Sequence, residues 1–306
     1  MSDKIYPPHP QEADTLLAGL LEEVKTWEGT LAGGTKLGVG AAAVESLVQT
    51  KVEFGNPRNH LILLTEEIFK DIGVELNSIY RQQMRDAYDF YYMTVTVDLR
   101  PKPGARFSRL CCELVFSSEG ENEPIVEKIF PNSKWRSVMK LGVGMNLGLN
   151  GNLDWSVGID ASQVAEIADL PGNLKANVAS NNELKAFIVV SDYAYEVGGF
   201  EILAQGEGNS TCYWRIEEPD IQKMATVKFA IVFKVSKGTE SINLRGIAWA
   251  EPNKNWLISK IRNVFSKLSD SWKNRLQSED EAASKLAELT ASEVWTLDLP
   301  KATIKS

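Results

Sequence analysis

Between Leu141 and Ile159 apolar and small polar residues alternate almost without a break. Leu141, Val143, Met145, Leu147, Leu149, Leu153, Trp155, Val157 and Ile159 occupy the odd positions. Gly142, Gly144, Asn146, Gly148, Asn150, Asn152, Asp154, Ser156 and Gly158 fall between them. A period of two places successive side chains on opposite faces of a strand. The interruption, Asn150-Gly151, is the strongest short-range hairpin signal. Residues 140–160 therefore predict a β-hairpin with one oily face and one nearly bare face.

Elsewhere the pattern divides the chain in three. Within residues 11–28, Leu16, Leu17, Leu20, Leu21, Val24 and Trp27 form a helical stripe that stops at Gly29. Residues 31–54 are Gly-rich and of no clear type, although Val48, Thr50, Val52 and Phe54 alternate as in a strand. After the Asn56-Pro57 turn, the spacing over residues 61–88 predicts a long amphipathic helix, with a bend at Gly73.

From residue 90 the texture is β. Strands are expected at 91–100, 106–116 and 124–130, then in the hairpin, with a small helix and a loop over 161–183. A second β run begins at Leu184. Its clearest strand is 225–235, with Ala225, Val227, Phe229, Ile231, Phe233 and Val235 on one face, and 241–249 is expected to pair with it across Lys237-Gly238. Asn253 or Asn255 can cap a helix carrying Trp256, Leu257, Ile261, Val264, Phe265 and Leu268. Ser278 and Glu281 make a capping box for another helix over 279–290. Residues 294–299 alternate again and read as a returning edge strand.

The expected class is α+β: antiparallel β-sandwich-type units with an N-terminal helical segment and C-terminal helices. The divisions are 1–89 (helical), 90–183 (a β-rich unit holding the Gly-rich hairpin) and 184–306 (a second β-rich unit with the C-terminal helices). One pentapeptide occurs twice, Lys-Leu-Gly-Val-Gly at 36–40 and 140–144. So short a match is weak grounds for a repeat.

Composition adds limits. The 306 residues carry a net charge of −8, which argues against charge-driven nucleic-acid binding. The polar, Pro-broken start lacks the layout of a signal peptide. No apolar run approaches the ~18 residues of a spanning helix. Cys111, Cys112 and Cys212 are an odd set with one vicinal pair, a poor disulfide framework. They read as buried free thiols in a cytoplasmic protein.

The chain holds no motif for a nucleotide, a zinc or calcium ion, or a nucleophilic triad, so no catalytic, cofactor-binding or metal-binding residue is assigned. Gly33-Gly34-Thr35-Lys36 has the wrong spacing for a phosphate loop. The two histidines, His9 and His60, offer little acid–base chemistry. Carboxylate pairs such as Glu66-Glu67 and Glu217-Glu218 are ordinarily solvated.

Two surfaces stand out. The hairpin's bare face, with Gly142, Gly144, Asn146, Gly148, Asn150, Asn152 and Gly158, invites close approach of another backbone, and Trp155 on the opposite face is a further contact candidate. Residues 254–275 carry six positive side chains, Lys260, Arg262 and Lys267 among them, against Asp270 alone, a net +5 in an acidic chain. With Trp256, Phe265 and Trp272 on that stretch, it could meet an acidic protein or an anionic membrane. The commoner arrangement packs the aromatics inward and solvates the lysines.

The expected function is non-catalytic binding or assembly, through self-association or a protein partner. One alternative is a pore-forming effector, because residues 141–149 approach the ~9–11 residues of a tilted spanning strand. The other is an enzyme that uses scattered carboxylates.

Overall fold

A computed structural model describes residues 10–32, 38–71, 76, 78–118, 122–131, 201–218, 221–277 and 289–301. The fold is α+β: two antiparallel sheets, with helices from both chain ends. The predicted 140–160 hairpin and the helix predicted at 279–290, except for its last two residues, lie outside the described residues.

Sheet A has the order β1 (Lys51–Phe54), β3 (Tyr88–Arg100), β8 (Thr226–Ser236), β5 (Ile125–Phe130), and β2 (Leu61–Leu64) also pairs with β3. Sheet B runs β10 (Leu289–Asp298), β9 (Ser241–Pro252), β4 (Phe107–Ser117), β7 (Thr211–Glu217), β6 (Glu201–Gln205). The sheets share one core because their strands alternate as the sequence predicts. Val227, Phe229, Ile231, Phe233 and Val235 of β8 are all buried. Phe233 meets Phe116 of β4, ring centres 5.1 Å apart, and Phe229 meets Trp214 of β7 at 4.8 Å. Trp214 is fully buried, and its indole N–H donates to the Pro131 carbonyl at 3.0 Å, which satisfies its one polar atom.

Strands from the two β-rich stretches pair with each other in both sheets: β3 pairs with β8, and β4 pairs with β7 and β9. The expected pairing of 241–249 with 225–235 does not occur, since β8 belongs to sheet A and β9 to sheet B. The turn at Lys237-Gly238, with Gly238 at φ +86°, carries the chain between sheets. Long apolar strands on both sides of a turn can bury more surface as two layers than as one flat ribbon.

The predicted long helix is also replaced. Residues 61–64 form β2, with Leu61 opposite Met93 and Leu64 opposite Phe90, followed by α3 (Glu66–Asp71) and α4 (Ser78–Asp86). Four consecutive apolar residues fit a helix stripe or a strand equally well. The Pro57–His60 3-10 turn delivers this run alongside β3, where its backbone gains cross-strand partners.

Helix α4 covers the outer face of sheet A. Tyr80 packs edge-on against Phe90 at 5.9 Å. Lys234 pairs with Glu127, donates to Gln83 Oε1 at 3.4 Å and lies 4.8 Å from the Tyr88 ring centre. Cys112 and Cys212 point into the core, whereas Cys111 faces outward and accepts from the Tyr213 hydroxyl at 3.4 Å; all three are buried free thiols.

Candidate functional site: the helical end

At one end of the two sheets, α1 (Pro10–Ala32) and α2 (Val39–Val48) meet α5 (Lys254–Lys260), α6 (Arg262–Phe265) and α7 (Asp270–Gln277). The stripe read in the sequence is the contact face: Leu17, Leu20, Leu21 and Val24 are buried in the common core. Helix α1 does not stop at Gly29 but continues to Ala32. A glycine weakens a helix by only ~1 kcal/mol, which the packing of the preceding turns outweighs.

Residues 39–48, given no clear type from sequence, are helical, and only 51–54 of the alternating run form a strand. The N-terminus of α2 has no side-chain cap of its own. Glu28 of α1 supplies one across space: its two carboxylate oxygens accept from the Gly40 and Ala41 N–H groups, each at 2.9 Å. An anion at a helix N-terminus satisfies unbonded amides and complements the dipole. Both glycines are required by this approach. A Cβ at Gly38 would overlap the Glu28 carboxyl group, and one at Gly40 would lie 2.8 Å from Glu28 Oε1 and 3.2 Å from Ile261 Cγ2.

Helix α5 starts where Asn253 Oδ1 accepts from the Trp256 N–H at 3.0 Å, the cap expected from sequence. The predicted helix breaks in two at Ile261. Leu257, Ile261, Val264 and Leu268 are buried, and Trp256 and Phe265 pack against the core. The aromatics of the basic segment thus face inward. Burial beside Arg109 holds the Lys254 ammonium below its ordinary pKa, against the pull of Glu251. Lys260, Arg262 and Lys267 stand in solvent.

Their setting distinguishes them from scattered surface charge. Ile261, between Lys260 and Arg262, sits over Gly40 at the start of α2. Lys267 places its ammonium 5.5 Å from the ring centre of Trp27, one helical turn before Leu31. Leu31 is 55% exposed and Val39 67% exposed. Of the five large apolar side chains most open to solvent among the described residues, these two share the α1–α2 corner. The acids nearby are engaged: Glu28 on α2, Glu23 on the Ser269 N–H at 2.6 Å, and Glu22 with Lys25 at 3.5 Å. Among the described residues, Lys260, Arg262 and Lys267 form no ion pair.

Of the sequence-derived contact residues, the structure describes Lys260, which ends α5, Arg262, which begins α6, and Lys267, just beyond it, all three exposed. Gly142, Gly144, Asn146, Gly148, Asn150, Asn152, Trp155 and Gly158 lie outside the described residues. Sequence reasoning missed Leu31 and Val39, which flank a Gly-rich run and carry no periodic signal. It also missed the lattice at the foot of this end, on the outer face of sheet B. There Arg109 donates to both Glu251 oxygens at 3.0 and 2.9 Å and to Glu217 at 3.0 Å, and Arg215 pairs with Glu217 as well. Cross-strand neighbours 142 and 108 residues apart in the chain leave no local trace.

Among the described residues no helix is long and apolar enough to cross a membrane, and no group of three or more His, Cys, Asp or Glu residues is arranged to hold a metal ion. Comparison of the chain with family models and with curated proteins finds no match.

Proposed function

We propose that this protein is a non-catalytic binding module that engages an anionic partner through its helical end. One observation carries the reading: Lys260, Arg262 and Lys267 are solvent-exposed without acidic partners among the described residues, beside the half-open aliphatic side chains of Leu31 and Val39. Of the neighbouring carboxylates, Glu28 and Glu23 accept from backbone amides and Glu22 pairs with Lys25, and the positive potential is left for something outside the chain.

The test is binding of the full chain to two anionic probes, polyglutamate and phosphatidylserine-containing vesicles, at low and high ionic strength. The comparison is a chain carrying Lys260→Glu, Arg262→Glu and Lys267→Glu. Salt-sensitive binding to at least one probe, lost on charge reversal, is the expected result. Binding to neither, or equal binding by the reversed chain, overturns the proposal.

A further inference from the structure

Resting on that reading, we infer that the anionic partner is a lipid surface, on which the α1–α2 corner seats Leu31 and Val39 while Lys260, Arg262 and Lys267 meet the headgroups. Charge complementarity alone would serve an acidic peptide equally well. The apolar component decides between them. A peptide docks by filling a groove or pairing with a strand edge, and its side chains are received in concavities. At this corner the relation is reversed: Leu31 lies in the last turn of α1 and Val39 begins α2, and each presents more than half its surface to solvent. Protruding aliphatic side chains are accommodated by a fluid layer that closes around them.

The rest of the corner has the residue types of an interfacial site. Leu31 and Val39 are its exposed aliphatics. One helical turn back lies Trp27, half-buried, with its ring under the Lys267 ammonium. Tryptophan favours the headgroup level, where one part of the ring is wet and the other is not. Long Lys and Arg stems can lie along the apolar surface while their charges reach lipid phosphates. The corner is held in shape from within by Glu28, which ties α1 to α2 through Gly40 and Ala41, and by Ile261 against Gly40. Little ordering is therefore left to be done on docking.

The experiment uses the full chain and vesicles of phosphatidylcholine alone or doped with phosphatidylserine. The chain is expected to sediment with the doped vesicles only, and to be released by salt. Reversing the three cations should weaken partitioning more than about a hundredfold, the loss expected from merely removing them at ~1 kcal/mol per basic residue near the surface. Leu31→Ser and Val39→Ser, which keep every charge, should each weaken it roughly tenfold. As a direct probe of depth, Val39→Cys labelled with an environment-sensitive fluorophore should brighten and blue-shift on doped vesicles. The buried native thiols leave this position selectively reactive. Thermal melts of each variant, matched to the unaltered chain, confirm that the fold is retained.

Binding to polyglutamate with no binding to doped vesicles sinks the lipid inference and leaves the proposed function standing. Binding to neither probe sinks both. Vesicle binding that is indifferent to Leu31→Ser and Val39→Ser, with no spectral change at residue 39, also overturns the inference, because the contact would then be electrostatic adsorption alone.

Discussion

Glu28 Oε1 lies 2.9 Å from the Gly40 amide nitrogen, so a side chain of the first helix caps the start of the second. The same contact dictates glycine at two positions, leaves α2 without a need for its own Ser or Asp cap, and removes a carboxylate from a basic surface. Fold and site depend on it together.

Replacing Glu28 with Ala should cost about 1–2 kcal/mol, the usual effect of losing an N-cap. Glu28→Gln should cost less, since one acceptor oxygen remains for one of the two amides. Chemical denaturation of the two variants checks the order. Gly40→Ala should be damaging for a separate reason: its Cβ would crowd Ile261 at both side chain and backbone, and overpacking costs about 1–3 kcal/mol.

The two sheets meet along one edge at Gly246. Phe54 of β1 and Trp295 of β10 pack edge-to-face at 5.3 Å, and a Cβ on Gly246 would lie 2.9 Å from both rings. Gly246→Ala should destabilise the fold by about 1–3 kcal/mol. Combining it with Trp295→Leu should cost less than the sum of the two changes, because the shorter side chain vacates the space the methyl group needs. A double-mutant cycle by urea denaturation measures that coupling.

Acid sensitivity should trace in part to Glu217. Burial acts to raise its pKa, but hydrogen bonds and charge from Arg215 and Arg109 outweigh burial and hold the carboxyl below its ordinary range. A carboxyl group more acidic in the folded state contributes stability that is complete above its unfolded pKa, and that is lost as pH falls through the folded value. The effect should therefore be felt below about pH 4. Arg109→Leu should lower stability at neutral pH by about 2–4 kcal/mol, since it removes both hydrogen bonds from the partly buried Glu251 and leaves Glu217 with Arg215 alone. The same variant should lose less further stability between neutral pH and pH 3. Denaturant melts at several pH values test both statements.

The native thiols should be inert. Burial pushes the Cys112 and Cys212 thiols well above their ordinary pKa, and Cys111 is shielded as well. A disulfide reagent at pH 8 should label none of the three within minutes in the folded protein and all three in denaturant. Rapid native labelling would show that sheet B opens far more readily than its packing implies.

Strand positions in this protein were legible where alternation ran long. Residues 91–100 and 241–249 fall within observed strands, and 106–116 and 225–235 do so apart from their first residues, Arg106 and the exposed Ala225, because period-two burial is written locally in the residue types. The apolar stripe of α1 and the Asn253 cap were legible for the same reason. Residues 61–64 and 39–48 were not. A run of four apolar residues has no period, and a Gly- and Ala-rich helix has none of the usual start signals when its cap arrives from another helix.

By itself, then, the sequence determined which residues leave water and the period with which they do so, and hence the α+β class and the basic character of the C-terminal helices. Tertiary structure alone decided which strands pair, that the Lys237-Gly238 turn joins different sheets, and that the basic segment packs on α1 and α2, with Ile261 against Gly40 and Lys267 over Trp27. Periodicity reports on neighbours within a few residues. Pairing, capping by Glu28 and the Arg109 lattice depend on groups brought together from distant parts of the chain, and only the competition among whole packings selects those partners.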